Sequence, residues 1–307
     1  MSKIIRIGTR DSQLAMWQAT MVQQKLEKLG YKTQLVPVKS IGDLQLDKPL
    51  YEMGIVGVFT KTLDVALLHD EIDIAVHSMK DVPTKLPKGI IQTAVLERGA
   101  TTDVLVFKKG FDVTKNCVIA TSSLRRKTQW LNRYPHHQIV SLRGNVITRL
   151  EKLQTNNWDG AIFAKTGLER IGYLPDNHME IHWMLPAPAQ GAVMVVAQEN
   201  NTHAIEATKK INHENTFFTT YVERMFLRSL EGGCIAPIGA LAHIQDGEIH
   251  MDGNLLSLDG KEVLKVQMSA PLSEYARLGQ TAAEDILNRN ERKMMREIRK
   301  FTERTIK

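Results

Sequence analysis

The sequence predicts an α/β architecture divided into more than one domain, and three observations carry that prediction. Over the first two thirds, short apolar strands alternate with amphipathic helices, the rhythm of helices packed on sheets. After Glu231 the pattern changes to short strands separated by Asp-Gly turns, which predicts a small antiparallel sheet. At 307 residues the chain also exceeds the roughly 250–300 residues at which a single hydrophobic core stops growing.

Taken in order, residues 4–7 read as a strand, 12–29 as a helix and 33–38 as a strand. A helix at 59–68 and a strand at 72–76 continue the rhythm, followed by strands at 104–107 and 118–120. Helices near 123–133 and 145–154 flank another strand at 138–141. Beyond the change of pattern, strands at 239–245, 248–255 and 263–269 are separated by turn residues such as Asp246-Gly247 and Asp259-Gly260. Helices at 272–288 and 291–304 close the chain. The last places Met294, Ile298 and Phe301 at helical spacing with basic residues elsewhere, the pattern of a solvated outer face. No repeat of fixed period and no low-complexity linker interrupts this order.

Composition narrows the class. A hydrophobic share of 43% with 24% charged residues is that of an ordinary globular protein. No segment approaches the ~18 uninterrupted apolar residues of a membrane span. The N-terminus reads directly into a strand, so no export signal is expected. Two cysteines, Cys117 and Cys234, far apart and in different contexts, argue against a disulfide framework or a zinc cluster and for a reducing cytoplasm. The formal charge is +6, but residues 289–307 hold eight Lys/Arg and three Glu, which leaves 32 basic against 31 acidic residues before them.

The clearest anomaly runs from Val113 to Leu150, where no Asp or Glu occurs beside Lys115, Arg125, Arg126, Lys127, Arg133, Arg143 and Arg149. Within it, Thr121-Ser122-Ser123-Leu124-Arg125-Arg126 leaves a strand and opens a helix, so hydroxyls and free backbone N–H groups face whatever anion sits there. Ser141-Leu142-Arg143-Gly144-Asn145 repeats the arrangement, with Arg149 one turn into the next helix. Two such turns point to a polycarboxylate or phosphate ligand, although each arginine alone could equally decorate a solvated face. Nucleic acid would want stacking aromatics, and this stretch offers only Trp130 and Tyr134, both readable as inner-face helix residues.

Two further segments carry chemistry. His77-Ser78-Met79-Lys80-Asp81-Val82-Pro83 follows a buried-looking strand, where the open ends of α/β strands collect ligands. A carboxylate there can hydrogen-bond a substrate N–H and stabilise a developing cation, while the spacing alone fits an ordinary exit turn. In Leu230-Glu231-Gly232-Gly233-Cys234-Ile235-Ala236-Pro237, two glycines and a proline describe a loop that could present its cysteine to a cleft. Cys117 leads into Val118-Ile119-Ala120 and reads as an inert buried thiol.

Together these segments resemble the porphobilinogen deaminase family over nearly the whole chain and in the same order. The resemblance rests on Gly8-Thr9-Arg10-Asp11-Ser12-Gln13-Leu14-Ala15, on residues 73–83, 121–126 and 141–145, on Leu185-Pro186-Ala187-Pro188-Ala189-Gln190-Gly191-Ala192, and on 230–237. It implies two lobes like those of periplasmic binding proteins around a cleft, plus a smaller C-terminal domain with an antiparallel sheet. The divisions expected are 1–97 with 194–213, then 98–193, then 214–307.

The resemblance further implies a transferase of tetrapyrrole and haem biosynthesis that joins four porphobilinogens, with loss of ammonia, into hydroxymethylbilane. Cys234 would hold a dipyrromethane primer through a thioether, and Asp81 would be the acid/base for deamination and for the final proton. Arg10, Lys80, Arg125, Arg126, Arg143, Arg149 and Arg170 match positions that bind the carboxylates of the growing chain, with Ser78, Thr121, Ser123 and Asn145 as hydrogen-bonding neighbours. A cytoplasmic monomer without metal, nucleic acid or membrane partner is expected.

Two departures stand out. Glu52-Met53-Gly54-Ile55-Val56-Gly57-Val58-Phe59 lacks the lysine many members carry near these glycines, and Ala189 stands where glycine is frequent. The competing readings are a non-enzymatic polycarboxylate-binding protein with the same lobes, and a cysteine-dependent hydrolase or acyltransferase whose thiolate His77 would support.

Overall fold

The computed structural model describes residues 4–39, 60–230, 236–289 and 293–306. Its elements begin with β1 (Ile5–Arg10), α1 (Gln13–Lys28), β2 (Thr33–Val38), α2 (Lys61–Leu68), β3 (Ile74–Ser78) and β4 (Ile90–Val95). There follow β5 (Asp103–Phe107), β6 (Val118–Ala120), α3 (Leu124–Arg133), β7 (Gln138–Val140), α4 (Val146–Thr155), β8 (Gly160–Ala164), α5 (Lys165–Arg170) and β9 (His178–Glu180). The chain ends with β10 (Val193–Gln198), α6 (Thr202–Lys209), α7 (Glu214–Ser229), β11 (Ile238–Gln245), β12 (Glu248–Leu256), β13 (Val263–Pro271), α8 (Tyr275–Arg289) and α9 (Lys293–Ile306). They fall into two compact units. One takes the described residues up to Gly99 with Gln190–Phe218, the other Ala100–Ala189 with the described residues from Thr219 on.

The first unit holds a five-stranded sheet of order β2-β1-β3-β10-β4. β1 pairs in parallel with β2 and β3, and β10 runs antiparallel between β3 and β4. Ile5, Ile7, Ile74, Val76, Val193 and Val195 point to one face and are buried against Ala19, Val22 and Leu26 of α1 and Ala204 and Ala207 of α6. Ser12 starts α1 by accepting the Ala15 N–H, and basic residues fill its last turn, both favourable to a helix.

The second unit repeats the plan in a sheet of order β7-β6-β8-β5-β9, with β6 parallel to β7 and β8, and β5 antiparallel to β8 and β9. Both of its faces are covered. Val104, Val106, Ala120, Ala161 and Phe163 pack with Leu153 and Leu168 on one side, and Leu105, Ile119 and Ile162 pack with Trp130, Ile181 and Met184 on the other. That double burial explains why these strands read as continuous apolar runs. The same unit carries the predicted antiparallel sheet β11-β12-β13. Its first turn has Asp246 and Gly247 at φ +51° and +80°, the two left-handed residues of a tight hairpin.

Three expectations change in detail. The strand expected at 72–76 is β3, two residues later, because the Asp73 N–H is spent on the Arg6 carbonyl and the ladder to β10 begins at Ile74. The helix expected from 272 opens with a separate 3-10 turn, Leu272–Glu274, before α8 begins. The structure also adds β4, β8, β9, β10 and helices α5 to α7 to the elements expected from the alternating pattern. No described helix is long and apolar enough to cross a membrane.

Candidate active site

Parallel pairing of β1 with β3 brings their carboxyl ends to the same edge of the first sheet. Arg10 ends β1, and Ser78 ends β3 before the 3-10 turn Met79–Asp81. That turn is fastened by the Met79 N–H donating to the Ala192 carbonyl (3.0 Å) and the Val82 N–H to the Met79 carbonyl. Met79 is the buried anchor, while Lys80 and Asp81 are half-buried. The Lys80 ammonium reaches Oε1 of fully buried Gln190 at 3.3 Å, and the Arg98 Nε–H donates to the Gln190 carbonyl at 2.8 Å. Ser78 exchanges hydrogen bonds with the Gln18 amide of α1.

Just before this turn, His77 is buried and its Nε2 has no hydrogen-bond partner among the described residues. Burial and, secondarily, the positive charge of Arg10 push its pKa down to about 4. The imidazole is therefore neutral at pH 7 and a poor base, which removes the physical ground for a thiolate-supporting role.

In the second unit, β6 and β7 deliver two helix N-termini to one sheet edge, as the sequence pattern predicts. Ser123 Oγ accepts the Arg126 N–H at the start of α3, and Asn145 Oδ1 accepts the Thr148 N–H at the start of α4. The turns are tied together, because Ser122 Oγ accepts the Leu142 N–H at 2.8 Å and lies 2.9 Å from the Ser141 hydroxyl. Thr121 Oγ1 accepts the Ser123 N–H. Gly144 has φ +117°, and a Cβ there would lie 2.8 Å from Thr148 Cγ2, so this turn requires glycine.

The arginines divide into two kinds. Arg125 and Arg126 are 4% and 6% exposed and share one carboxylate, that of Asp103, at 2.8 Å each. Their other bonds go inward, Arg125 to the Leu185 carbonyl (2.7 Å) and Arg126 to the Ile162 carbonyl (2.9 Å). The acid-free stretch thus has a neutraliser after all. It is supplied from upstream of Val113, at the start of β5, where sequence proximity gives no warning.

Arg143 is buried, and burial lowers its pKa. The Arg149 Nε–H donates to the Gly144 carbonyl at 2.7 Å. Arg170, the last residue of α5, is pulled down to about 10 by burial, against the raising effect of Glu169. Arg170 therefore remains cationic at neutral pH.

Cys117 is buried, with its thiol 3.3 Å from the Asp112 carbonyl, and burial raises its pKa. It is an inert thiol, as its sequence context indicates. Cys234 and the 52–59 segment lie outside the described residues.

Asp103 and two other buried polar groups carry no signal in the sequence pattern. Glu223 of α7 is fully buried and accepts the Ala189 N–H (2.6 Å) and the Ala242 N–H (2.8 Å). Gln129 of α3 joins Leu185 to Asn254 of β12. Only their being polar at core-facing positions could have pointed to them.

Comparison with known proteins supplies the family. Residues 5–206 match the model described as porphobilinogen deaminase, dipyromethane cofactor binding domain, and residues 217–288 match the porphobilinogen deaminase C-terminal domain. The porphobilinogen deaminase of Geotalea uraniireducens is 38% identical over 302 residues, covering 96% of this chain and 95% of its own. That of Syntrophomonas wolfei is 39% identical, covering 96% and 99%. That of Carboxydothermus hydrogenoformans is 39% identical, covering 98% and 99%. Among solved structures, a Salmonella typhimurium periplasmic binding protein with high arginine specificity has 10% identity and a TM-score of 0.42, covering 70% of this chain and 94% of that one.

Proposed function

The chain belongs to the porphobilinogen deaminase family, and from that premise we propose that it joins four porphobilinogens, with loss of four ammonias, on a primer held as a thioether by Cys234, and that water then cleaves the product from the primer as hydroxymethylbilane. It is a transferase whose cofactor is a dipyrromethane. The observation that carries the reading is Asp81, half-buried on a fastened turn at the carboxyl end of β3, at the sheet edge that also carries Arg10, Ser78 and Lys80. A protein that only binds polycarboxylates would need the cations of such an edge but not a carboxylate among them.

When bound, the dipyrromethane supplies a free pyrrole α-carbon onto which the product is built. Asp81 accepts a hydrogen bond from the pyrrole N–H of the incoming porphobilinogen and stabilises the cation that forms as ammonia departs. The same carboxylate then accepts the proton displaced from the α-carbon at carbon–carbon bond formation.

Each ring carries an acetate and a propionate. Arg10, Lys80, Arg143, Arg149 and Arg170 bind these carboxylates, with Ser78, Thr121, Ser123 and Asn145 as hydrogen-bonding neighbours. Arg125 and Arg126 complete the set. Their bonds to Asp103, Ile162 and Leu185 fit them to hold positive charge at the start of α3 more than to reach outward.

The donor chemistry fits the cofactor. Two guanidiniums against one buried carboxylate leave an excess of positive charge that a polycarboxylate offsets. With Cys117 buried and engaged, Cys234 is the remaining thiol of the two. The three sheets are read as three domains, and the enzyme as a cytoplasmic monomer acting on porphobilinogen with no nucleic-acid or membrane partner.

The test is intact mass of the wild type beside Cys234→Ser. Only the wild type should carry an increment equal to two porphobilinogens less two ammonias. An unmodified wild type made with ample substrate would overturn the attachment. Asp81→Asn should keep the increment and lose most turnover, and wild-type rates in that variant would refute its role.

A further inference from the structure

In the second unit, Gln129 sits at the meeting point of three segments and is 5% exposed. Its Nε2–H donates to the Leu185 carbonyl (3.0 Å), and its Oε1 accepts both the Leu185 N–H (2.9 Å) and the Asn254 Nδ2–H (3.1 Å). Asn254, 4% exposed, in turn accepts the N–H of Gly239, its cross-strand partner in β11, at 2.9 Å. The Ala240 N–H donates to the Pro186 carbonyl at 3.0 Å. Side chains of α3 therefore fix the 185–186 segment, and that segment fixes the start of β11.

The packing leaves no slack. A Cβ on Gly239 would lie 2.7 Å from Asn254 Oδ1, 2.8 Å from Leu185 Cβ and 3.0 Å from the Leu185 carbonyl oxygen, so the strand passes directly against Leu185 at this point. Gly239 is five residues after Cys234, and Arg125 is one helical turn before Gln129, with its own bond to the Leu185 carbonyl. The same carbonyl thus holds the arginine helix and, through Gln129 and Asn254, the strand by which the chain leaves the cysteine loop.

We propose that Gln129 is a positioning residue for chain elongation, setting the strand that follows the cysteine loop in register with the helix that carries Arg125 and Arg126. The inference rests on the reading of Cys234 as the primer attachment. It goes beyond that reading by naming a residue that touches neither primer nor substrate. Loss of the register displaces the attacking carbon, and a displacement near 1 Å costs on the order of 100-fold in rate while substrate binding through its own contacts persists. The cost falls on kcat.

The experiment compares wild type, Gln129→Leu and Gln129→Glu, which keeps the acceptor for Leu185 and Asn254 but loses the donor to the Leu185 carbonyl. Intact mass counts the primer-loaded fraction, and steady-state kinetics with porphobilinogen are expressed per loaded enzyme. Gln129→Leu should carry the primer and lose about 10- to 100-fold in kcat, with KM within about twofold of wild type. Gln129→Glu, with the acceptor bonds kept and the donor bond lost, should show a kcat between those of wild type and Gln129→Leu. Should Gln129→Leu not fold, Asn254→Ser, which cuts the link to β11 but leaves Gln129 on Leu185, is read the same way.

A loaded variant with wild-type kcat, or one whose only change is a higher KM, overturns the proposal and leaves the functional reading intact. A wild type with neither the mass increment nor porphobilinogen consumption overturns both.

Discussion

The buried imidazole of His77 makes stability depend on pH in a direction and window that can be worked out. Its folded pKa is about 4, held down first by burial and then by the Arg10 charge, against about 6.5 in an unfolded chain. Between those values the unfolded state binds more protons than the folded state, so stability rises with pH across the window. The contribution is fully present above about 6.5, falls as the pH drops through that value and levels off below about 4. At about 1.36 kcal/mol per pKa unit, the full loss is roughly 3 kcal/mol, and about 2 kcal/mol is already lost at about pH 5.

Against a total stability of about 5–15 kcal/mol, that is a large share. The assay is urea unfolding at about pH 7.5 and about pH 5 for wild type and for His77→Gln, whose side chain does not titrate. Other groups titrate alike in both proteins and cancel in the comparison. The wild type should lose about 2 kcal/mol more than the variant over this interval. Equal losses would refute the argument, since they would mean that His77 is protonated without penalty in the folded protein.

Other outcomes follow from the same structure. Asp103→Asn leaves two guanidiniums buried without their carboxylate and should cost about 3–5 kcal/mol in denaturant unfolding; a loss under about 1 kcal/mol would mean that the pair is solvated. Ala189 is a buried, non-glycine residue at φ +62°. Ala189→Gly relieves about 1–2 kcal/mol of left-handed strain and costs about 0.5–1 kcal/mol of chain entropy, so a Tm equal to or a few degrees above wild type is expected. A Tm several degrees lower would show that the alanine methyl contributes more through packing than the strain costs. Gly144→Ala should destabilise by about 1–3 kcal/mol and weaken binding of carboxylate ligands, because its Cβ would press on Thr148 beside the Asn145 cap. Unchanged unfolding and ligand titration would show that the turn yields freely.

How much of this is legible in the sequence depends on the range of the interactions. The caps at Ser123 and Asn145 and the turn at Asp246-Gly247 are local, set within a few residues by side-chain geometry, and they appear where the pattern puts them. The central strand β10 escapes the alternating pattern although Val193-Met194-Val195-Val196-Ala197 is a continuous apolar run, because a strand buried on both faces loses the alternation that marks a half-exposed one. Asp81 is expected on a turn after a buried strand, and it lies on one. Asp103, Glu223 and Gln129 are not legible. Asp103 meets Arg126 across 23 residues, Glu223 meets Ala189 across 34, and Gln129 meets Leu185 across 56. Nothing local to any of the three marks a partner at that distance.

The charge of the protein gives the sharpest case of a total that misleads. Nearly all of the formal +6 resides in residues 289–307, and charge in a solvated helix is screened within about 8–10 Å at physiological salt. The arginines that begin α3 contribute almost nothing to that sum once acidic residues elsewhere are counted, yet here two guanidiniums are buried with one carboxylate. A single excess positive charge there acts through a medium of effective dielectric about 20 or less, where it is worth several times its value in water. Burial, together with the like charge of Arg126, lowers the pKa of Arg125 in spite of Asp103, so the carboxylate does not offset the two effects combined. The remainder can be offset by an anion from outside. A ligand with two carboxylates on every ring would meet that requirement, and under the proposed function its binding would be linked to the stability of α3.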